Sequence, residues 1–255
     1  MVHNLSQCRI LVRKAVQAGA KALFLPEASD YIAGSGQETV ALVKSVDDSE
    51  FVQGLCEEAR RSALPIHVGV HEPGESPDKA KNTLLWIDER GSITQRYQKL
   101  HLFDVDIKAG PVLKESDWVE KGASILPPFA TAVGRVASSI CFDLRFPEIS
   151  LALRHQGCDI LTFPSAFTVP TGKAHWEVLL RARAIETQSY VIAAAQVGRH
   201  NEKRVSYGHS MIVDPWGVVL ADVGAKDDEP EIATAIIDHD LVSKIRREMP
   251  LARRT

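Results

Sequence analysis

The sequence predicts an α/β fold, and three observations predict it. Short apolar runs closed by Pro, Gly or a charged residue alternate with amphipathic segments of helical period. Two hairpin signals, Glu89-Arg-Gly91 and Asp214-Pro-Trp-Gly217, lie between apolar strands, so the sheet structure is mixed rather than purely parallel. Composition is the third: 45% apolar and 25% charged among 255 residues is a globular balance, and the length suffices for one sizeable core. No shift of composition and no short repeat divides the chain, so residues 1–255 read as a single domain.

The chain opens on a helix. Asn4 can cap it, Leu5, Cys8, Leu11, Val12, Ala15 and Val16 share one face, and Gly19 can end it. Lys21 to Leu25 is an apolar run closed by Pro26 and reads as a buried strand. A helix about Phe51 to Arg61 leads into strand Pro65 to Val70. Strand Asn82 to Asp88 turns through Glu89–Gly91 into strand Ser92 to Tyr97. Strand Val136 to Cys141 precedes a helix beginning near Pro147, and strand Asp159 to Phe163 precedes a longer helix, about His175 to Gln188, then strand Tyr190 to Gln196. The second hairpin joins Ser210–Val213 to Val218–Ala221. Strand Ile232 to Ile237 and a helix near Asp240 to Arg247 close the chain.

Thirty Lys and Arg against 33 Asp and Glu leave a formal net charge of −3, which implies no nucleic-acid or anionic-membrane partner. Arg246, Arg247, Arg253 and Arg254 read as a solvated helix end. The longest unbroken apolar stretch, Tyr190 to Ala195, is far short of the ~20 residues of a membrane span. Cys8, Cys56, Cys141 and Cys158 contain no Cys-x-x-Cys pair, which argues against a zinc ribbon or a thioredoxin-like motif. No signal-peptide core precedes the first helix, so a reducing cytoplasmic compartment is the expectation, with a mitochondrial one left open.

Three stretches set a reactive or ionisable residue at the end of an apolar strand, where side chains reach the crevice in which α/β proteins hold ligands. They are Leu23–Glu27, Tyr97–Asp104 and Ser139–Glu148. A Cys at a strand-to-helix junction faces the partial positive charge of a helix amino end, which favours the thiolate, and it needs a neighbouring base. Each piece alone has a plainer reading: Cys141 as inert core, Glu27 or Lys99 as a surface or ion-paired residue.

Together the three stretches resemble the signatures of the nitrilase superfamily of carbon–nitrogen hydrolases: FLPEAS at Phe24–Ser29, KLHLFD at Lys99–Asp104 and CFDLRFPE at Cys141–Glu148, in the family's order and separations. The resemblance covers essentially the whole chain. It implies an α-β-β-α sandwich of two mixed sheets flanked by helices, paired into a homodimer. It also implies a Glu–Lys–Cys triad with Glu27 as general base, Lys99 as electrophilic cation and Cys141 as nucleophile, and it places a second carboxylate at Glu115. No metal or organic cofactor is implied. The Phe142 backbone N–H is inferred to share a developing oxyanion with Lys99. Glu115 is read as holding Lys99 and the substrate nitrogen, or as a structural partner of Lys99 alone.

Phe163–Phe167, Ala174–Gln188, Gln196–His200 and Ser206–Gly217 are similar to the branch of amidases that act on α-keto acid amides. That similarity implies deaminated glutathione as substrate, with 2-oxoglutaramate as the alternative. A non-catalytic binding or scaffold role stays open beside both. An α-keto carboxylate needs a fixed cation and hydroxyl donors. Arg145 offers a bidentate fork, or pairs with a neighbouring carboxylate, and Thr171 offers a hydroxyl, or caps the following helix. His101, His175 and His209 read as structural histidines, and Asp214–Gly217 as a turn. Residues 33–45 and 108–114 are candidates for a leaving-group pocket, and helices 141–157 and 175–188 for a dimer interface. The resemblance further implies an apolar strand ahead of the first helix and a short tail beyond Arg254; neither is in the sequence.

Overall fold

The central strands are buried on both faces, and alternate residues along them join different cores, which sorts the chain into layers. The structure, a computed structural model, describes residues 1–106 and 112–251. In chain order, α1 (Val2–Gln17) leads to β1 (Leu23–Phe24), α2 (Gly36–Leu42) and α3 (Glu50–Ser62). Then come β2 (Ile66–Pro73), β3 (Ala80–Ile87), β4 (Ile93–Gln98), β5 (Asp104–Asp106), β6 (Val112–Lys114), β7 (Val119–Glu120), β8 (Phe129–Thr131) and β9 (Gly134–Ser138). A 3-10 turn at Cys141–Arg145 precedes α4 (Pro147–His155) and β10 (Ile160–Thr162). The chain continues through α5 (Val169–Thr187), β11 (Tyr190–Ala193), β12 (Val197–Arg199), β13 (Val205–Tyr207), β14 (Met211–Val213), β15 (Val219–Asp222) and α6 (His239–Glu248).

One sheet runs β1-β2-β3-β4 with β7 beside β3, and the other runs β15-β14-β11-β10-β9-β8. Both are mixed: β1 is parallel to β2 while β2, β3 and β4 are antiparallel, and β9, β10 and β11 are parallel while β14 runs against β11. Val68, Val70, Leu85 and Ile87 face the core shared with α1 and α3. Ala137, Leu161, Val191 and Val213 face the core under α4 and α5. Residues of opposite parity meet between the sheets, where Trp86 packs with Val136, Ile160 and Ile192. The layers are therefore α-β-β-α, as the family resemblance implies. Between the sheets His67 Nε2 lies 3.1 Å from Ser138 Oγ, and burial pushes the imidazole down to about 3, so it stays neutral.

Several sequence expectations are corrected. Met1, not Asn4, precedes the first helical residue, and the Asn4 amide instead donates to the carbonyls of Ser29 and Asp30 at 3.1 Å each. The run Lys21 to Leu25 pairs only at Leu23 and Phe24. The helix expected from His175 starts at Val169, because Pro170 fits its first turn. Arg246 is no solvated helix end: its guanidinium donates to the carbonyls of Cys158 at 2.6 Å and Gln188 at 3.2 Å, tying α6 to the sheet. Arg253 and Arg254 lie outside the described residues. The expected strand Ile232–Ile237 forms no ladder with any described residue; it is extended, with Ala233, Ala235 and Ile237 packed on the inter-sheet core and Ile236 exposed. The strand that the resemblance implies ahead of the first helix is not among these residues.

Both sheets deliver strand ends to one rim. There β2 passes so close to the residues after β1 that Gly69 N–H donates to Pro26 O at 3.0 Å and Ser29 N–H to Gly69 O at 2.8 Å. A Cβ at Gly69 would stand 2.6 Å from Glu27 Cα and 2.8 Å from Pro26 O, both backbone atoms. Gly69→Ala should therefore cost about 1–3 kcal/mol as overpacking, or roughly 2–4 °C of Tm per kcal/mol for a chain of this size. Thermal unfolding checks this, and a Tm within 1 °C of wild type would mean the backbones part freely.

Candidate active site

Three strand ends and one 3-10 turn bring four side chains together at this rim. Lys99 follows β4 directly, and its backbone is fixed by Lys99 N–H to Asn82 O at 3.0 Å and Gly122 N–H to Lys99 O at 2.7 Å. Its ammonium donates to Glu27 Oε1 at 2.9 Å and to both oxygens of Glu115 at 3.1 and 2.9 Å. The Lys99 side chain is only 2% exposed and Glu27 6%, so these charges stand almost without water. Glu27 also accepts from Asn82 Nδ2 at 2.8 Å and from Ala166 N–H at 2.9 Å. Glu115 accepts from Phe103 N–H at 2.6 Å and from Asn82 Nδ2 at 3.3 Å.

Burial alone would neutralise these groups. It works to raise Glu27, but the Lys99 ammonium and the donors around the carboxylate outweigh it and hold Glu27 below the ordinary glutamate range. Burial likewise opposes the Lys99 charge, and Glu115 with Glu27 overrides it, lifting Lys99 well above the ordinary lysine value. Both are therefore ionised at neutral pH.

Cys141 opens the 3-10 turn with φ +45°, a left-handed conformation rare outside glycine and worth roughly 1–3 kcal/mol of strain. The surroundings hold it there. Cys141 N–H donates to Pro164 O at 3.0 Å, and the Arg183 guanidinium on α5 donates to Leu144 O at 3.1 and 2.7 Å. The fully buried Asp143 carboxylate accepts from Ile140 N–H at 3.0 Å, Tyr97 Oη at 2.7 Å and His101 N–H at 3.0 Å. Asp143 thus ties the nucleophile's turn to the segment that carries Lys99. The expected thiolate does not form: burial, then the Glu27 charge, pushes the Cys141 thiol up, and Lys99 only partly offsets them. The thiol lies beside Glu27, a carboxylate ready to take its proton. The next amide, Phe142 N–H, has no acceptor among the described residues.

The remaining sequence candidates divide. Arg145 finds no carboxylate among the described residues; its Nη2 lies 3.0 Å from His175 Nδ1, its guanidinium 5.7 Å from the centre of the Phe167 ring, and its buried Nε has no partner. Thr171 Oγ1 donates to Thr168 O at 3.2 Å in the first turn of α5. His101 stacks on Phe146 with ring centres 3.6 Å apart, and His209 Nδ1 lies 2.9 Å from Asp222, both structural roles. Residues 108–111 of the 108–114 candidate segment lie outside the described residues.

Sequence reading missed Asn82, Asp143, Arg183 and Gln196. Gln196 donates to Glu27 O at 3.0 Å and Ala28 O at 3.2 Å, fixing the backbone of the carboxylate that faces the thiol. Asp143 and Arg183 lie inside quoted motifs, the one signal that pointed near them. Asn82 had none.

The carbon–nitrogen hydrolase family model matches residues 2–247. A probable hydrolase, nit2, of Schizosaccharomyces pombe is 49% identical over 255 residues, which cover 100% of this chain and 92% of that protein. The deaminated glutathione amidase of Bos taurus is 44% identical over 252 residues, 97% of this chain and 76% of that enzyme. The crystal structure of the C. elegans NitFhit protein superposes with a TM-score of 0.91 at 42% identity; the match covers 98% of this chain and 60% of that longer one.

Linkage fixes how the Glu27–Lys99 pair responds to pH. Glu27, depressed in the fold, adds stability that is present above its unfolded value of about 4.3 and is lost as pH falls through the lower folded value. In Lys99→Met the buried carboxyl has lost its cation, its folded pKa rises above the unfolded one, and the sign reverses. The Tm gap between wild type and Lys99→Met should therefore widen as pH rises from about 4 to 7, toward the ~3–5 kcal/mol of a broken buried pair. A gap that stays constant over this range would contradict the ionised pair.

Proposed function

The chain belongs to the carbon–nitrogen hydrolase family and is a cysteine amidase of the nitrilase superfamily; from that premise we propose that Glu27, Lys99 and Cys141 carry the reaction and that deaminated glutathione is its substrate. The observation that carries the roles is one carboxylate, Glu27, placed beside a neutral thiol and bound to a buried ammonium. The substrate reading leans on the relatives named for it, 44% identical to this chain.

The thiol proton passes to Glu27 as Cys141 sulfur attacks the amide carbon. The carbonyl oxygen takes the negative charge, and Lys99 with the free Phe142 N–H stabilises it. Collapse breaks the carbon–nitrogen bond while Glu27 returns its proton to the leaving amine, a group too basic to leave as an anion. A thioester of Cys141 with the 2-oxoglutaryl group remains. Water then gives one proton to Glu27 and attacks the thioester carbon, and the proton passes to sulfur as 2-oxoglutarate departs. Glu115 holds Lys99 toward this oxygen. Arg145, a cation with donors to spare, anchors the α-keto carboxylate, and Thr171, at the start of α5, adds a hydroxyl.

The 1–255 chain acts as one catalytic unit, since the proposed triad spans it from Glu27 to Cys141 and Arg183 supports it from α5. A homodimer through α5 fits the exposed apolar side chains there: Val178 is 69% exposed and Trp216, on the adjoining hairpin, 60%. Four unbridged cysteines suit a reducing compartment such as the cytoplasm.

The test is release of 2-oxoglutarate from deaminated glutathione and from 2-oxoglutaramate by the full chain. Cys141→Ala should remove turnover of both while keeping wild-type unfolding behaviour; residual rates near wild type would rule out the covalent route. The ratio of kcat/KM values chooses the substrate, and a preference for 2-oxoglutaramate would move the assignment to that amide. Arg145→Ala should lower kcat/KM for both α-keto acid amides by about 10–100-fold, the worth of a charge-assisted hydrogen bond, and spare plain aliphatic amides. Equal losses on all amides would reject the anchor.

A further inference from the structure

Cleavage of deaminated glutathione releases a dipeptide that ends in a carboxylate, whereas 2-oxoglutaramate releases only ammonia. The two substrates therefore differ by one anion on the leaving-group side, and the cations assigned so far, Lys99 and Arg145, are committed to the oxyanion and the acyl-side carboxylate. A third candidate cation stands beside the triad. His71 on β2 is the cross-strand partner of Asn82 on β3, so both side chains leave the same face of the sheet, ~4.5–5.5 Å apart at Cβ. Asn82 bonds both Glu27 and Glu115, which places His71 next to the catalytic carboxylates.

The ring is fixed. Asp30 accepts from His71 N–H at 2.8 Å and lies 3.0 Å from His71 Nδ1, while Tyr31 stacks on the imidazole with centres 4.5 Å apart. Asp30 itself is buried and pinned by Tyr31 N–H at 2.9 Å. With Nδ1 turned to Asp30, Nε2 points the other way and has no partner among the described residues. Burial disfavours the charged ring, but Asp30, with Glu27 and Glu115 beyond it, outweighs burial and lifts His71 above the ordinary histidine value. A protonated ring also balances the site, setting Lys99, Arg145 and His71 against Glu27, Glu115 and Asp30. A dipeptide reaches at most ~7 Å from the scissile nitrogen, a span that a ring one cross-strand spacing from Asn82 can meet.

We propose that His71, oriented by Asp30, binds the terminal carboxylate of the departing dipeptide through Nε2–H and so selects dipeptide amides over simple amides. The proposal rests on deaminated glutathione being the substrate. The experiment measures kcat/KM of the full chain, wild type and His71→Gln, on deaminated glutathione, on the same compound with its terminal carboxylate converted to a carboxamide, and on 2-oxoglutaramate. Wild type should prefer the free acid over the carboxamide by about tenfold or more, the size of one charge-assisted hydrogen bond. In His71→Gln that preference should shrink to about threefold or less, and the ratio of carboxamide to 2-oxoglutaramate should keep its wild-type value. Ratios taken on one preparation are independent of how much of the variant is folded. An acid-to-carboxamide ratio unchanged in His71→Gln overturns the proposal and leaves the substrate reading standing. Failure of wild type to cleave deaminated glutathione overturns both.

Discussion

A single ammonium held between two carboxylates sets the terms for this protein. Lys99 is all but inaccessible, and a lone charge so placed would give up its proton rather than stay charged. It stays ionised because Glu27 and Glu115 both accept from it, and Glu27 stays ionised because of Lys99, with Asn82 and the Ala166 amide supplying further donors. Removing Lys99 leaves buried carboxylates without their cation, which costs more than the intact cluster contributes. The carboxylates and the ammonium come from segments far apart in sequence, so the cluster exists only when the rim of the sandwich is assembled. The tight passage of Gly69 past Glu27 and the clamp of Gln196 on the Glu27 carbonyl serve that requirement.

The same cluster decides the state of the nucleophile. A helix amino end and a lysine would favour a thiolate, yet burial and a negative Glu27 keep Cys141 protonated at rest. In the proposed reaction the proton must therefore move when sulfur attacks, and Glu27, hydrogen-bonded to the thiol, is the carboxylate placed to receive it. Strain adds to the arrangement. Cys141 sits at φ +45°, and Asp143 and Arg183 hold its turn against the segment of Lys99, so nucleophile and cation are registered through side chains rather than through a shared strand.

Much of this was legible in the sequence, and the reasons for the rest are physical. Glu27 and Cys141 each end an apolar run, a pattern visible in one dimension, and the flanks of both and of Lys99 carried the family resemblance. Asn82 and His71 were not visible, because their roles arise from cross-strand register, which links residues through space with no sequence signature. Helix starts were misjudged where capping residues had other duties: Asn4 looked like a cap but bonds the loop after Glu27. The strand expected at Ile232–Ile237 keeps the alternation of a strand but no described neighbour pairs with it, since periodicity reports a half-buried extended chain and says nothing of its partner. Short elements such as α2 and the β5–β6 pair fall below the length at which periodicity speaks.

Covalent chemistry at one of four buried thiols is the core of the proposed reaction. The measurement is acid quench of the full chain during turnover of deaminated glutathione, followed by peptide mapping by mass spectrometry. The expected result is a 2-oxoglutaryl group on Cys141, absent from Cys8, Cys56 and Cys158, that disappears when substrate is exhausted. Turnover with no adduct on Cys141, or an adduct that still carries the dipeptide, would contradict a thioester formed by loss of the amine.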